Sequence, residues 1–276
     1  MPSFSGLFAR APEGPLRIPV DSTVALGFAV YYVPGYPPLG GAELRVALPA
    51  WLAENMAEPL RGAVTQFAAG EGLLYTDDLQ RGAVPLPPYD LLRSEGASEE
   101  ELKRLEKGYQ LVIVSARDEN RVPRFGLWTA LAGAMAAADA LNGVAYDPAR
   151  MSVIAPDSPP LAGDGVVRVR EHVALRVAET TSGGLVTTAG MSKLGLPELR
   201  VGFARGLQAP TTLLADVAQQ LADAVVQANH GRDACLDEVE FGPDLTANGV
   251  PLAVRYTAGE PGQKGWVDVG AGGLAG

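Results

Sequence analysis

Positive charge is concentrated in one stretch of this chain. In VVRVREHVALRVAE, residues 166–179, the apolar positions Val167, Val169, Val173, Leu175 and Val177 alternate with Arg168, Arg170, His172 and Arg176. A period of two is that of a half-buried strand with one apolar and one polar face. Arginines gathered on one face offer charge-assisted hydrogen bonds to an anionic ligand or an acidic partner. The competing reading is internal. LDEVEF, residues 236–241, places Glu238 and Glu240 on one face, and such a strand lying alongside would neutralise the arginines across the sheet. The internal pairing is the preferred of the two.

A second cluster follows the apolar run YQLVIVS at 109–115. The segment ARDENRVPR supplies Arg117, Asp118, Glu119, Arg121 and Arg124, with Trp128 just beyond. Loops leaving the end of a buried strand are frequent binding positions, although a solvated charged turn accounts for the same residues. His172 and His230 are far apart, with no H-x-x-x-H or C-x-x-C spacing near either, so no metal site is expected. His230 suits the C-terminal end of a helix, where a cation meets the dipole. The lone Cys235 reads as a small core residue, and Ser192 and Lys193, as neighbours on a strand or turn, point apart. G-x-S-x-G, G-x-x-x-x-G-K-[ST] and G-x-G-x-x-G are missing from any strand-then-helix context. The expectation is therefore no catalytic residue and no cofactor.

The elements that must position these residues follow from periodicity and punctuation. A strand is expected at 23–33 and a short one at 43–48, then a helix to about residue 70 with Leu52, Met56, Leu60, Val64 and Phe67 on one face. Pro59 should kink or restart that helix. Ser98 and Glu101 form a capping box for an exposed helix carrying Glu99/Lys103 and Glu100/Arg104 pairs. The run at 109–115 reads as the middle strand of a sheet covered on both faces. A small-residue helix at 126–142 follows, with Leu127, Leu131, Met135, Ala138 and Leu141 inward and Gly143 as its stop. After a Pro/Gly/Asp-rich boundary at 155–165 come the strand at 166–179 and one ending near Ala204. A helix at 211–229 then buries Leu214, Val217, Leu221 and Val225 and stops at Gly231, and strands follow at 236–241, 250–256 and 265–269. The expected class is α+β, with mixed and antiparallel sheets packed with helices in two lobes, 1–157 and 164–270, and a flexible tail at 271–276.

One segment has the density of a signature: VTTAGMSKLGLPELRVGF, residues 186–203. Gly190 and Gly195 allow positive φ, Pro197 fixes an extended entry to the next strand, and Met191 with Leu194 or Leu196 can plug the core beneath. This describes a structural corner, in which Thr188 and Glu198 carry the polar ends worth testing. Thr188, Gly190, Met191, Gly195, Pro197, Glu198 and Leu199 together resemble the T-x-G-[LM]-x-x-[FL]-G-x-P-E-[LI] segment of a bacterial family of unknown function. In that family a helix like 210–229 follows, and an earlier small-residue helix leads to a strand and Asp-Pro, as in GLWTALAGAMAAADALNGVAYDP here. The resemblance spans roughly residues 109–260 of this sequence. Residues 188–192 also resemble the bacterial relatives of suppressor-of-fused, which look like interaction proteins; Gly195 and Pro197 fit the first family better. Neither resemblance supplies catalytic residues.

Composition sets the outer limits. The 276 residues carry 32 acidic and 22 basic side chains, a formal charge of −10, which disfavours a sequence-independent grip on nucleic acid. A single cysteine agrees with a reducing compartment. The first residues lack the pattern of a secretory or transit signal, and the longest apolar run, 125–145, is interrupted by Asp139 and falls short of a membrane span. These features lead to the expectation of a bacterial, cytoplasmic, non-enzymatic protein-interaction module. It would act as an adaptor or immunity-type protein that binds another protein through an acidic surface, with no nucleic-acid or membrane partner. The alternative is an enzyme or binding domain for a small anionic ligand, sited on Arg168, Arg170, His172 and Arg176 or on the loop from Arg117 to Arg124.

Overall fold

The computed structural model describes residues 15–33, 35, 40–70, 73–120, 124–156, 166–241, 246–247, 250–260 and 264–271. The class is α+β. Thr23–Val167 forms one compact unit, and the described residues of Met1–Ser22 and Arg168–Gly276 form the other. The chain thus divides after Ser22 as well as near the expected interior boundary, because β1 (Leu16–Pro19) pairs with a strand close to the other end of the sequence. Most of that boundary, 157–165, and the tail beyond residue 271 lie outside the described residues.

The Thr23–Val167 unit is built on an antiparallel sheet of five strands in the order β3-β4-β2-β5-β6. These are β2 (Thr23–Tyr32), β3 (Leu73–Gln80), β4 (Gln110–Glu119), β5 (Val144–Asp147) and β6 (Ser152–Val153). Two helices, α1 (Gly41–Asn55) and α2 (Leu60–Ala69), lie between β2 and β3, while α3 (Tyr89–Ser94) and α4 (Glu99–Lys107) precede β4 and α5 (Phe125–Ala140) follows it. On one face α5 packs on β4 and β2, and α1 and α2 pack on α5. On the other, Leu92 of α3 and Leu102 and Leu105 of α4 close over Ala29, Tyr31, Leu111 and Tyr146. With both faces covered, successive residues of β2 from Phe28 to Tyr32 are all buried, since neither side of the pleat meets water. The middle strand is β2; β4 lies beside it.

Three local expectations change. Residues 43–48 belong to α1, not to a strand: Leu44, Leu48 and Leu52 recur at i, i+4 and i+8 and are buried, and Pro49 is accommodated inside the helix on its exposed side. Pro59 does restart the chain, as the N-cap of α2. The Ser98–Glu101 capping box is present, and Arg104 pairs with Glu100 at 2.5 Å, but Glu99 is taken by Arg93 at 2.7 Å, and α4 buries Leu102 and Leu105 instead of lying exposed. Finally, α5 is stopped by Asn142 in the left-handed region (φ 47°), with Gly143 N–H donating to Ala138 O at 2.8 Å and Asn142 N–H to Asp139 O at 3.2 Å. Gly143 serves close approach instead: a Cβ there would sit 2.6 Å from Tyr31 O.

In the other unit, six strands are ordered β11-β12-β13-β9-β8-β7. They are β7 (Ala174–Thr180), β8 (Gly183–Ala189), β9 (Glu198–Ala204), β11 (Thr246–Ala247), β12 (Val250–Thr257) and β13 (Trp266–Ala271). The β13–β9 junction is parallel and the others antiparallel. The helix α7 (Thr211–Asn229) packs on β8 and β9, burying Leu214, Val217, Leu221 and Val225 with Val186, Leu199, Val201 and Val267 of the sheet. The short helix α6 (Val169–His172) lies against α7, and β1 pairs with β10 (Glu238–Phe241).

Signature corner and candidate binding face

The signature residues form a corner between β8 and β9. Gly190 (φ 116°) ends β8, Met191–Leu194 make one tight 3₁₀ turn, and Gly195 (φ 71°) releases the chain into Leu196, Pro197 and β9. Met191, Leu194 and Leu196 are all buried. A Cβ at Gly190 would lie 2.8 Å from His172 O, so the glycine meets both a dihedral and a packing demand. Glu198 ties the corner together. Its carboxylate accepts from Thr188 Oγ1 at 2.7 Å, from Gly190 N–H at 2.9 Å and from Met191 N–H at 3.3 Å. Thr188 Oγ1 in turn accepts from Leu199 N–H at 2.7 Å. A carboxylate receiving charge-assisted bonds from two successive backbone donors fixes the turn. Its oxygens are committed to the fold.

The four-residue cationic stripe does not exist as a strand face. Val169–His172 is the helical turn α6, fixed by Gln219 Oε1 accepting from Val169 N–H at 2.8 Å, and β7 begins only at Ala174. Arg168 is therefore an exposed cap residue, Arg170 is exposed and pairs with Asp216 of α7 at 2.9 Å, and His172 is buried. Only Arg176 remains on the strand, half-buried. The expected cross-strand partners are also elsewhere: Glu238 and Glu240 lie on β10, where Arg17 of β1 faces them at 3.7 and 3.3 Å. The β7 strand pairs with β8 instead.

The second expected site is not a solvated loop. β4 runs on to Glu119, pairing Asp118 with Val24, and directs Asp118 to the start of α5. There Asp118 accepts from Gly126 N–H at 2.9 Å and forms an ion pair with Arg124, whose Nη1 also donates to Asn120 Oδ1 at 2.9 Å. Asp118 and Arg124 are 3% and 2% exposed, so this pair is interior. Burial pushes the Asp118 carboxyl above its ordinary range, while Arg124 and the N–H groups of Gly126 and Leu127 pull it down. Trp128 is fully buried within α5, Arg117 is exposed on β4, and Arg121 lies outside the described residues.

Arg176 has companions that the sequence reading did not assemble. Register places it opposite Thr187 on β8, Thr187 opposite Arg200 on β9, Arg200 opposite Asp268 on β13, and Asp268 opposite Arg255 on β12. The five residues form a row across the sheet, on the face opposite to the buried Leu199, Val201, Val267 and Val254. Asp268 is held by Arg200 Nε at 2.5 Å and by Thr257 Oγ1 at 2.7 Å, and the Arg200 guanidinium lies 5.4 Å from the Trp266 ring centroid. Arg255 is exposed. The row carries three cations and one anion.

No family model, curated protein or solved structure matches this chain. The row must therefore be read from its own chemistry. Neighbouring strands lie about 4.8 Å apart, which places Arg176, Arg200 and Arg255 at intervals of about 10 Å. The next outward positions are Leu185, Gly202, Ala253 and Gly270 on one side of the row and Glu198, Trp266 and Thr257 on the other, and Arg255 at the β12 end is exposed. Such a surface suits an extended segment bearing several carboxylates. The signal was present in the sequence: Arg200 in ELRVGF, Arg255 in AVRYT and Asp268 in WVDVG each interrupt an apolar alternation on its outward beat. Among the described residues, no group of three or more His, Cys, Asp and Glu is placed to hold a metal, and no helix is long and apolar enough to cross a membrane.

Proposed function

We propose that this chain is a non-enzymatic protein-interaction module, a bacterial cytoplasmic adaptor or immunity-type protein. Its working surface is the outward face of the six-stranded sheet. The observation that carries the reading is the register-aligned row Arg176–Thr187–Arg200–Asp268–Arg255. Exposed Arg255, beside the Arg200–Asp268 pair and Arg176, gives this face a local excess of positive charge on an otherwise acidic chain, which favours an acidic segment of another protein. This moves the contact surface from the acidic exterior expected from net charge to a local cationic face. Membership of the family with the T-x-G-[LM] signature belongs to the same proposal, supported by residues 188–199.

The test is capture from native cytosol on the tagged chain, with Arg255→Glu in parallel at low and moderate salt. The expected result is a stoichiometric partner that the wild type retains, that rising salt releases, and that Arg255→Glu fails to hold. Equal retention by the variant, an empty capture, or turnover of an ester or phosphoester library would overturn the reading.

A further inference from the structure

A shallow, wide-open cleft of about 700 Å³ lies along the segment between β3 and α3. Its wall is the run Pro85-Leu86-Pro87-Pro88, and Arg81 and Tyr89 form its polar end. The wall is fixed from behind, since Tyr31 Oη donates to Val84 O while Leu86 and Tyr89 pack against the buried cluster around Tyr31, Leu92 and Leu111. Arg81 is equally fixed. Its Nη1 donates to Glu106 O at 2.9 Å and to Gly108 O at 3.3 Å, and its Nη2 donates to Tyr89 Oη at 2.8 Å.

Those bonds use three of the five N–H donors of the guanidinium, leaving Nε–H and one Nη2–H without an acceptor among the described residues. Because Tyr89 Oη already accepts from Arg81, its own hydrogen is also available, and no acceptor among the described residues takes it. Asp90, the adjacent acid, is engaged by Arg93 at 2.8 Å. Unspent donors beside a run of prolines offer a place to an acceptor that carries apolar surface. We propose that this cleft binds a small monocarboxylate with a flat apolar body, the carboxylate on Arg81 and Tyr89 and the body against the prolines. A phosphate dianion would bring a second charge against a single cation and four apolar side chains, at a desolvation cost that the site does not offset. The site lies in the Thr23–Val167 unit and is independent of the sheet-face reading.

Gly82 supplies the discriminating variant. It lines the cleft, and a Cβ added there meets nothing within 4 Å, so Gly82→Leu places apolar bulk at the rim of the site without disturbing the backbone. Titration calorimetry of the full chain would use benzoate and 3-phenylpropionate as probes, benzamide as the neutral control and N-acetylphenylalanine to represent a peptide C-terminus. The expected result is saturable binding of the acids, a loss of at least about tenfold for benzamide and for Tyr89→Phe, and no binding to Gly82→Leu at unchanged Tm. Tighter binding of N-acetylphenylalanine than of 3-phenylpropionate would assign the carboxylate to a chain terminus, and the reverse to a free acid. Failure of every acid to saturate, equal binding of benzamide, or full binding by Gly82→Leu would overturn the proposal.

Discussion

The two large sheets, one antiparallel and the other with a single parallel junction, differ in what covers them. The sheet around β2 has helices on both faces, and the ion pair of Asp118 with Arg124 is drawn into the interior as part of the start of α5. The sheet around β9 has α7 on one face, and on the other it carries polar side chains in register from β7 to β12. A charge of the first kind holds the fold together. The second kind lies on the face opposite α7, where the proposed contact would be made. Similar residue types thus take different roles according to how many layers enclose them.

The contrast predicts a graded series of substitutions. The largest loss should come from Asp118→Ala, which strands Arg124 and uncaps α5. Removing one member of a buried pair costs about 3–5 kcal/mol, and denaturant unfolding should show it. A loss below 1 kcal/mol would mean that the pair is solvated and the two sheets are not so different. Thr188→Val comes next: it leaves Leu199 N–H without its acceptor and removes the hydroxyl from Glu198, for about 1–3 kcal/mol. Gly195→Ala forces a Cβ into the left-handed region and should cost about 1–2 kcal/mol by the same assay.

A titration separates the buried sheet from the half-covered one. Burial raises the Tyr31 phenol from 10.0 to about 12, against the opposing effect of Arg81. An acid whose folded pKa is raised favours folding while neutral, so its contribution is complete below pH 10 and is lost as pH rises through about 12. Ultraviolet difference titration of the wild type against Tyr31→Phe should assign an ionisation near that value, and one near 10 would contradict the enclosure of this sheet. The smallest effect on stability belongs to Arg255→Gln, within about 0.5 kcal/mol because the side chain is exposed and no like charge is set opposite Asp268. A larger loss would mean that the row serves the fold and not a partner.

Much of this architecture could be read from sequence, and the errors have a common cause. β2, the capping box of α4, the strand β9 and the helix α7 were legible because each is specified by its own residues. The segment 166–179 is ambiguous on its own because Val169, His172 and Val173 satisfy a helical spacing as well as an alternating one, and the choice is made by Gln219 and Asp216 on a helix far along the chain. Glu238 and Glu240 meet Arg17 and not the arginines of 168–176 because their strand pairs with β1, the most distant strand in sequence. Asp118 read as a loop residue because nothing local indicates that β4 continues to meet Thr23 and Val24. The candidate face was invisible as a unit for the same reason. Its residues come from five separate strands, and only register aligns them.

The most direct test of that face is a titration of a glutamate-rich peptide into the wild type, Arg255→Lys and Arg255→Glu across a salt series. The account predicts binding that weakens steadily with salt, survives the lysine replacement at reduced strength and disappears with glutamate. Binding indifferent to salt and equal in all three proteins would contradict it.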